Sequence, residues 1–193
     1  MTDPDLDARA AFLMEADRLK SVIRATRLAD DSRYENSAEH SWHLTLFALV
    51  MAPHAPAGVS IDRVIRMLIL HDLVEIDAGD HPIFGTVDTA AQAAEEAAAA
   101  DRLFGLLPPD QGRDFRALWE EFEAVETVDA RFAKALDRMQ TPLLNLENGG
   151  GSWAEYDVTE DQVRSRVGIQ VERGAPALWM WLSPLIARFF ARS

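Results

Sequence analysis

His71 and Asp72 stand side by side where the apolar run IDRVIRMLIL gives way to HDLVEIDAGD. An imidazole beside a carboxylate at the end of a buried helix costs free energy unless something satisfies both. A divalent cation would do so, given a few more nitrogen or oxygen ligands. His40, in NSAEHSWHL, and Asp137, in FAKALDRMQ, are good candidates for those ligands. Two imidazoles and two carboxylates suit a borderline-hard ion such as Mn, Fe, Co, Ni or Zn better than calcium. Such an ion lowers the pKa of bound water and polarises a phosphoryl oxygen, which is what phosphate-ester hydrolysis requires. The competing reading is plain packing, the usual fate of a histidine in a helix. His43 is either a fifth ligand or, on the favoured reading, a packed neighbour of the site. His54 is expected in solvent and His81 at the rim of a pocket.

The elements that must position these groups read as helices, with no alternating strand pattern. Leu6, Ala10, Leu13, Leu19, Val22 and Ile23 predict one amphipathic helix over residues 5–29. Asn36 followed by Glu39 is a capping box, so a helix starts there and places His40 in its first turn before ending at Pro53. A second helix runs from Ser60 to about Asp77 with Gly79 as its stop, and Glu75 lies on the same flank as His71 and Asp72. Residues 80–87, with Pro82 and Gly85, read as a loop. An alanine-rich helix follows, then one after Pro108-Pro109, then one over TVDARFAKALDRMQTPLLNL that carries Asp137 and bends near Pro142. Residues 148–158 are expected as an internal loop, before short helices near 159–172 and 175–191.

This pattern predicts an all-α fold, a single domain over residues 1–193 with about seven to nine helices. Lys plus Arg number 19 and Asp plus Glu 32, for a net charge of −13. Such a surface repels nucleic-acid polymers and anionic membranes, although a cation and a few arginines can reverse the sign locally. No cysteine is present, which removes disulfides, thiolate nucleophiles and Cys-based zinc sites. No apolar run approaches the roughly 20 residues of a membrane span, and MTDPDLDARA lacks a secretory pattern, so a cytoplasmic location is expected.

Taken together, ENSAEHSWHL, LILHDLVEIDAGD and AKALDRMQ resemble the HD-domain phosphohydrolases, specifically the branch containing the bacterial 5′-deoxynucleotidases. The resemblance extends over nearly the whole chain and implies an HD-domain helical bundle. It places one divalent metal ion (Co, Mn, Fe, Ni, Zn or Mg) on His40, His71, Asp72 and Asp137. It implies that Glu75 is the catalytic acid–base group that positions water, and that Asp80 accepts from the sugar 3′-hydroxyl. Arg24 matches the phosphate-contacting arginine, with Arg27 and Arg33 close enough in sequence to compete for the role. Lys134, one turn before Asp137, also has the option of facing the phosphate. The chain departs from the pattern at Ala25, where well-known members carry a tryptophan that crowds the sugar 2′ position; deoxyribose selectivity therefore stays open. The implied substrate is a small phosphorylated molecule, a nucleoside monophosphate, and the implied assembly is a homodimer. Another HD hydrolase activity, on a different phosphate ester or a diester, and a non-catalytic nucleotide or metal sensor are the alternatives.

Overall fold

Helix α1 (Pro4–Ala16) starts where Asp3 accepts from the backbone N–H groups of Asp5 and Leu6. The computed structural model describes residues 3–85 and 88–192. The long first helix expected over residues 5–29 is not formed. After α1 the chain tightens into a 3₁₀ turn (Asp17–Ser21) and then extends as strand β1 (Ile23–Arg27). β1 pairs antiparallel with β2 (Tyr34–Asn36), Ile23 opposite Asn36 and Arg27 opposite Tyr34, with an irregularity between. Val22, Ile23 and Thr26 are β-branched and lose χ1 freedom in a helix, so extended pairing wins once a partner strand is at hand.

From β2 the chain passes directly into α2 (Ser37–Met51) through the expected capping box: Asn36 accepts from the Glu39 N–H at 2.9 Å, and Glu39 accepts from the Asn36 N–H at 3.2 Å. Helix α3 (Ile61–Leu70) turns Val64, Met67 and Leu68 inward, and all three are fully buried. It stops earlier than expected. A 3₁₀ turn (His71–Val74) and the short α4 (Glu75–Ala78) replace its last part, closed by Gly79 at φ 79°. The His71 ring donates from Nδ1 to Leu68 O at 2.8 Å, the carbonyl that a continuing α-helix would offer to the Asp72 N–H. The loop that follows is described as far as Gly85; Thr86 and Val87 lie outside the described residues.

Helices α5 (Thr89–Phe104) and α6 (Pro109–Ala124) bury Leu103, Phe104, Trp119 and Phe122. Helix α7 (Val128–Glu147) runs through Pro142 and forms the centre, with Phe132, Leu136 and Met139 fully buried. Residues 148–158 are more structured than a loop. The side-chain carbonyl of Asn145 accepts from the Ser152 N–H at 3.2 Å and anchors a short helix α8 (Gly151–Glu155). Helix α9 (Glu160–Val163), a π-helical segment (Arg164–Gly168) and α10 (Ile169–Gly174) lead to α11 (Pro176–Phe190). α10 crosses α7 so closely that a Cβ on Gly174 would sit 1.9 Å from Arg131 O. One hydrophobic cluster runs from Phe12 to Ile186, and the hairpin is the only sheet among the described residues. None of the described helices is long and apolar enough to cross a membrane.

Candidate active site

Three elements converge on the expected ligands. His40 is fixed in the capped first turn of α2 and is fully buried. Asp137 comes from the middle of α7, and His40 Nε2 lies 3.2 Å from its Oδ1. The 3₁₀ turn after α3 presents His71 and Asp72 together. His40 Nε2 is 3.9 Å from Asp72 Oδ2, and His71 Nε2 is 2.9 Å from Asp72 Oδ1. Ligand atoms of His40, His71 and Asp72 all lie within 4.8 Å of one another. With the proton held on Nδ1 by Leu68 O, His71 directs the lone pair of Nε2 inward. That nitrogen is buried and makes no hydrogen bond despite its short distance to Asp72. An orphaned imidazole nitrogen among carboxylates fits a cation, and the donor set fits a transition metal or zinc.

Beside this cluster, β1 delivers Arg24. Its Nη1 lies 3.0 Å from Asp72 Oδ2, 3.6 Å from Asp80 Oδ1 and 3.7 Å from Glu75 Oε1. Asp80 Oδ2 accepts from the Ala25 N–H at 3.3 Å, so the strand and the turn after α4 hold each other. Glu75 Oε2 accepts from Ser37 Oγ at 2.5 Å.

The electrostatics follow from crowded acids in a dry pocket. Burial, then the Asp72 charge, pushes the Glu75 carboxyl well above the usual range. Burial would raise Asp72 too, but the adjacent His71 ring and the Arg24 guanidinium outweigh it and hold it far below that range. Asp137 is likewise held well below despite its burial, by Arg138 and by its bond to His40. Burial would lower the Arg24 pKa, yet the charges of Asp72, Glu75, Asp80 and Asp137 raise it further.

Arg24, His71, Asp72, Glu75, Asp80 and Asp137 line a cleft of about 180 Å³ that opens to solvent. His81 lines it, as expected of a rim residue, and so do Lys134 and Arg138. Lys134 Nζ sits 4.1 Å above the Phe122 ring and 3.4 Å from Glu123, while Arg138 Nε is 3.7 Å from Asp137 Oδ2.

Of the competing arginines only Arg24 reaches the cleft. Arg33, expected at the substrate, instead forks Glu39 at 2.6 and 2.8 Å on the surface, and Arg27 pairs with Asp31 and stacks on Tyr34, so the structure brings neither to the cleft. His43 stands outside the His40–His71–Asp72 cluster, as the favoured reading expects: it packs edge-on against Phe47 and meets Gln140 Nε2 at 3.3 Å. His54 is exposed, and Asp77 pairs with Arg102 outside the cleft. Sequence reasoning missed Glu35, Ser37, Arg138, Thr141 and Trp153. Glu35 carries no periodic signal, since it lies on a strand of three residues, and Ser37 looks like an ordinary helix-start residue.

The model of the HD domain matches residues 16–179. The chain belongs to the HD domain family. Among HD-domain relatives, the Bos taurus protein named 5′-deoxynucleotidase HDDC2 is 30% identical over 155 residues, which is 77% of this chain and 74% of that protein. Its Mus musculus counterpart is 28% identical over 155 residues, 77% and 76% of the two chains. A crystal structure described as a predicted metal-dependent phosphohydrolase from Magnetospirillum magnetotacticum MS-1 superposes with a TM-score of 0.93 at 45% identity, covering 98% of this chain and 97% of that one. A conserved hypothetical protein from Pyrococcus furiosus shares the HD fold, with a TM-score of 0.65 at 18% identity and coverage of 91% and 99%.

Proposed function

We propose that this HD-domain protein is a metal-dependent phosphomonoesterase that releases phosphate from nucleoside and deoxynucleoside 5′-monophosphates. The observation that carries this reading is the convergence of His40, His71 and Asp72 within 4.8 Å, with Asp137 3.2 Å from His40. Those residues would hold one divalent ion. When bound, such an ion polarises a phosphoryl oxygen and makes water a better nucleophile. Arg24 supplies a planar fork for the phosphate, and its present partners are carboxylates that a phosphate would compete with. Glu75, with Oε2 held by Ser37, leaves Oε1, 3.7 Å from Arg24 Nη1, to take a proton from the attacking water and return it to the departing 5′-oxygen. Asp80, with Oδ2 fixed by the Ala25 N–H, offers Oδ1 to a sugar hydroxyl. Lys134 and Arg138 add two cations to a cleft otherwise rich in acids, and with a bound divalent ion they would favour a small anion there, while the surface of a chain of net charge −13 turns away nucleic-acid polymers.

The relatives named 5′-deoxynucleotidase favour a nucleotide substrate over other phosphate esters and over a non-catalytic sensor. We place the protein in the cytoplasm as a single domain acting as a homodimer. The exposed Trp42, Leu46, Leu49 and Val50 on one face of α2, and Met180 and Trp181 on α11, support a self-association surface. The test is phosphate release from ribo- and deoxyribonucleoside monophosphates with Co, Mn, Mg and Zn, run beside Asp72→Ala. Release by the wild type alone supports the enzyme; equal background from both proteins overturns it.

A further inference from the structure

Behind the ligands, three buried polar atoms converge without completing a hydrogen bond: Arg24 Nε, Glu35 Oε2 and His40 Nδ1. Glu35 Oε2 lies 3.4 Å from His40 Nδ1 and 3.7 Å from Arg24 Nε. Its other oxygen is fixed, because Gln140 Nε2 donates to Glu35 Oε1 at 2.8 Å. Gln140 is fully buried and follows Asp137 by three positions on α7, so one helix supplies both a ligand and the brace for this carboxylate. Glu35 itself is 2% exposed and is not among the residues that line the cleft. A carboxylate this deep is costly unless cationic or N–H donors face it. Every group around it (imidazole, guanidinium and carboxamide) offers a donor.

We infer that Glu35 is a positioning residue whose Oε2 anchors His40 Nδ1–H and Arg24 Nε–H at once, setting the ring that would hold the metal and the fork that would hold the phosphate from a single atom. An acceptor at Nδ1 keeps the proton there and leaves Nε2 of His40 as the ligating nitrogen, while raising its basicity. The Arg24 head, pinned at Nε, presents Nη1 toward the cleft at the distance where it now meets Asp72. One acid in β2 therefore couples ion affinity to anion affinity.

The inference rests on the metal-dependent reading above, and the experiment separates the two. Cobalt(II) binding is measured by calorimetry on wild type, Glu35→Gln and Glu35→Asp, together with inhibition by inorganic phosphate. Glu35→Gln keeps the volume and removes the charge; its cobalt Kd is expected to weaken by about 10–100-fold, its phosphate inhibition to weaken as well, and Glu35→Asp to fall between. Wild type that takes up no cobalt overturns the metal reading itself. Wild type that binds, beside a folded Glu35→Gln within about twofold in cobalt affinity, overturns the role of Glu35 alone. Unchanged phosphate inhibition overturns its hold on Arg24. If Glu35→Gln does not fold, ¹⁵N-histidine spectra of the zinc-loaded wild type decide. A His40 ring protonated at Nδ1 and bound through Nε2 is the expected result, and the opposite tautomer overturns the inference.

Discussion

Ser37 Oγ and Glu75 Oε2 meet at 2.5 Å, joining the first turn of α2 to the start of α4. That bond favours the charged carboxylate and opposes the burial and the Asp72 charge that push Glu75 upward. Removing it in Ser37→Ala raises the Glu75 pKa further. Less of the base is ionised at a given pH, so the acid limb of the pH–kcat profile moves to higher pH. A hydrogen bond to a charged group contributes about 1.5–3 kcal/mol, so kcat at neutral pH should fall roughly tenfold or more. An acid limb that stays put removes Glu75 from the role of base.

Glu75→Ala and Asp137→Ala separate chemistry from ion binding. The first should retain bound metal and lose about 10²–10⁴ in kcat, because it deletes a proton carrier. The second should lose the metal. Metal content by mass spectrometry beside phosphate release reads both; loss of metal from Glu75→Ala would move that residue into the ligand set.

Loading the protein with ion should raise its melting temperature. A ligand at 100 times its Kd stabilises by about 2.7 kcal/mol, equivalent to roughly 5–10 °C for a chain of this size. Calorimetric scans with and without chelator measure it. The shift should be larger in Arg24→Met, since the metal-free form then has no guanidinium against Asp72, Asp80 and Glu75. Removing one partner of a buried charge set costs about 3–5 kcal/mol. An equal shift in both proteins would mean that Arg24 does not balance these acids.

Gly174→Ala tests the α10–α7 crossing. Its Cβ would fall 1.9 Å from a backbone carbonyl, which cannot swing away as a side chain can. Overpacking of this kind costs about 1–3 kcal/mol, read as a lower urea midpoint with an unchanged m value. A midpoint matching wild type would show that the two helices have room to separate.

Association through α2 predicts that Trp42→Glu with Leu49→Glu gives a monomer by sedimentation, since both side chains are exposed on the face bearing Leu46 and Val50. A wild type that already sediments as a monomer removes the homodimer.

Much of the site was legible because its signals are local. The Asn36–Glu39 capping box announces where His40 sits, and the His71-Asp72 pair interrupts an apolar helix where two polar groups are costly unless satisfied. Arg24 could be singled out from Arg27 and Arg33 only by the fold, because all three lie within ten residues and the choice depends on which faces the bundle. The hairpin was illegible for a related reason. Its strands are short, and their pairing is a non-local interaction that overrides the helical spacing of Leu19, Val22 and Ile23. Glu35 was missed with it, as was the shift to 3₁₀ geometry at His71, which depends on a side-chain bond to Leu68 O.

The hairpin lies against the helices and brings Arg24 and Ala25 to the cleft and Glu35 to the far side of the His40 ring. Substitutions in β1 can therefore retune which phosphorylated molecule is accepted while the helices that would hold the ion keep their packing, whereas a change at Glu35 in β2 would touch both. Within this architecture, choice of substrate and possession of the ion are separable inheritances everywhere but at Glu35.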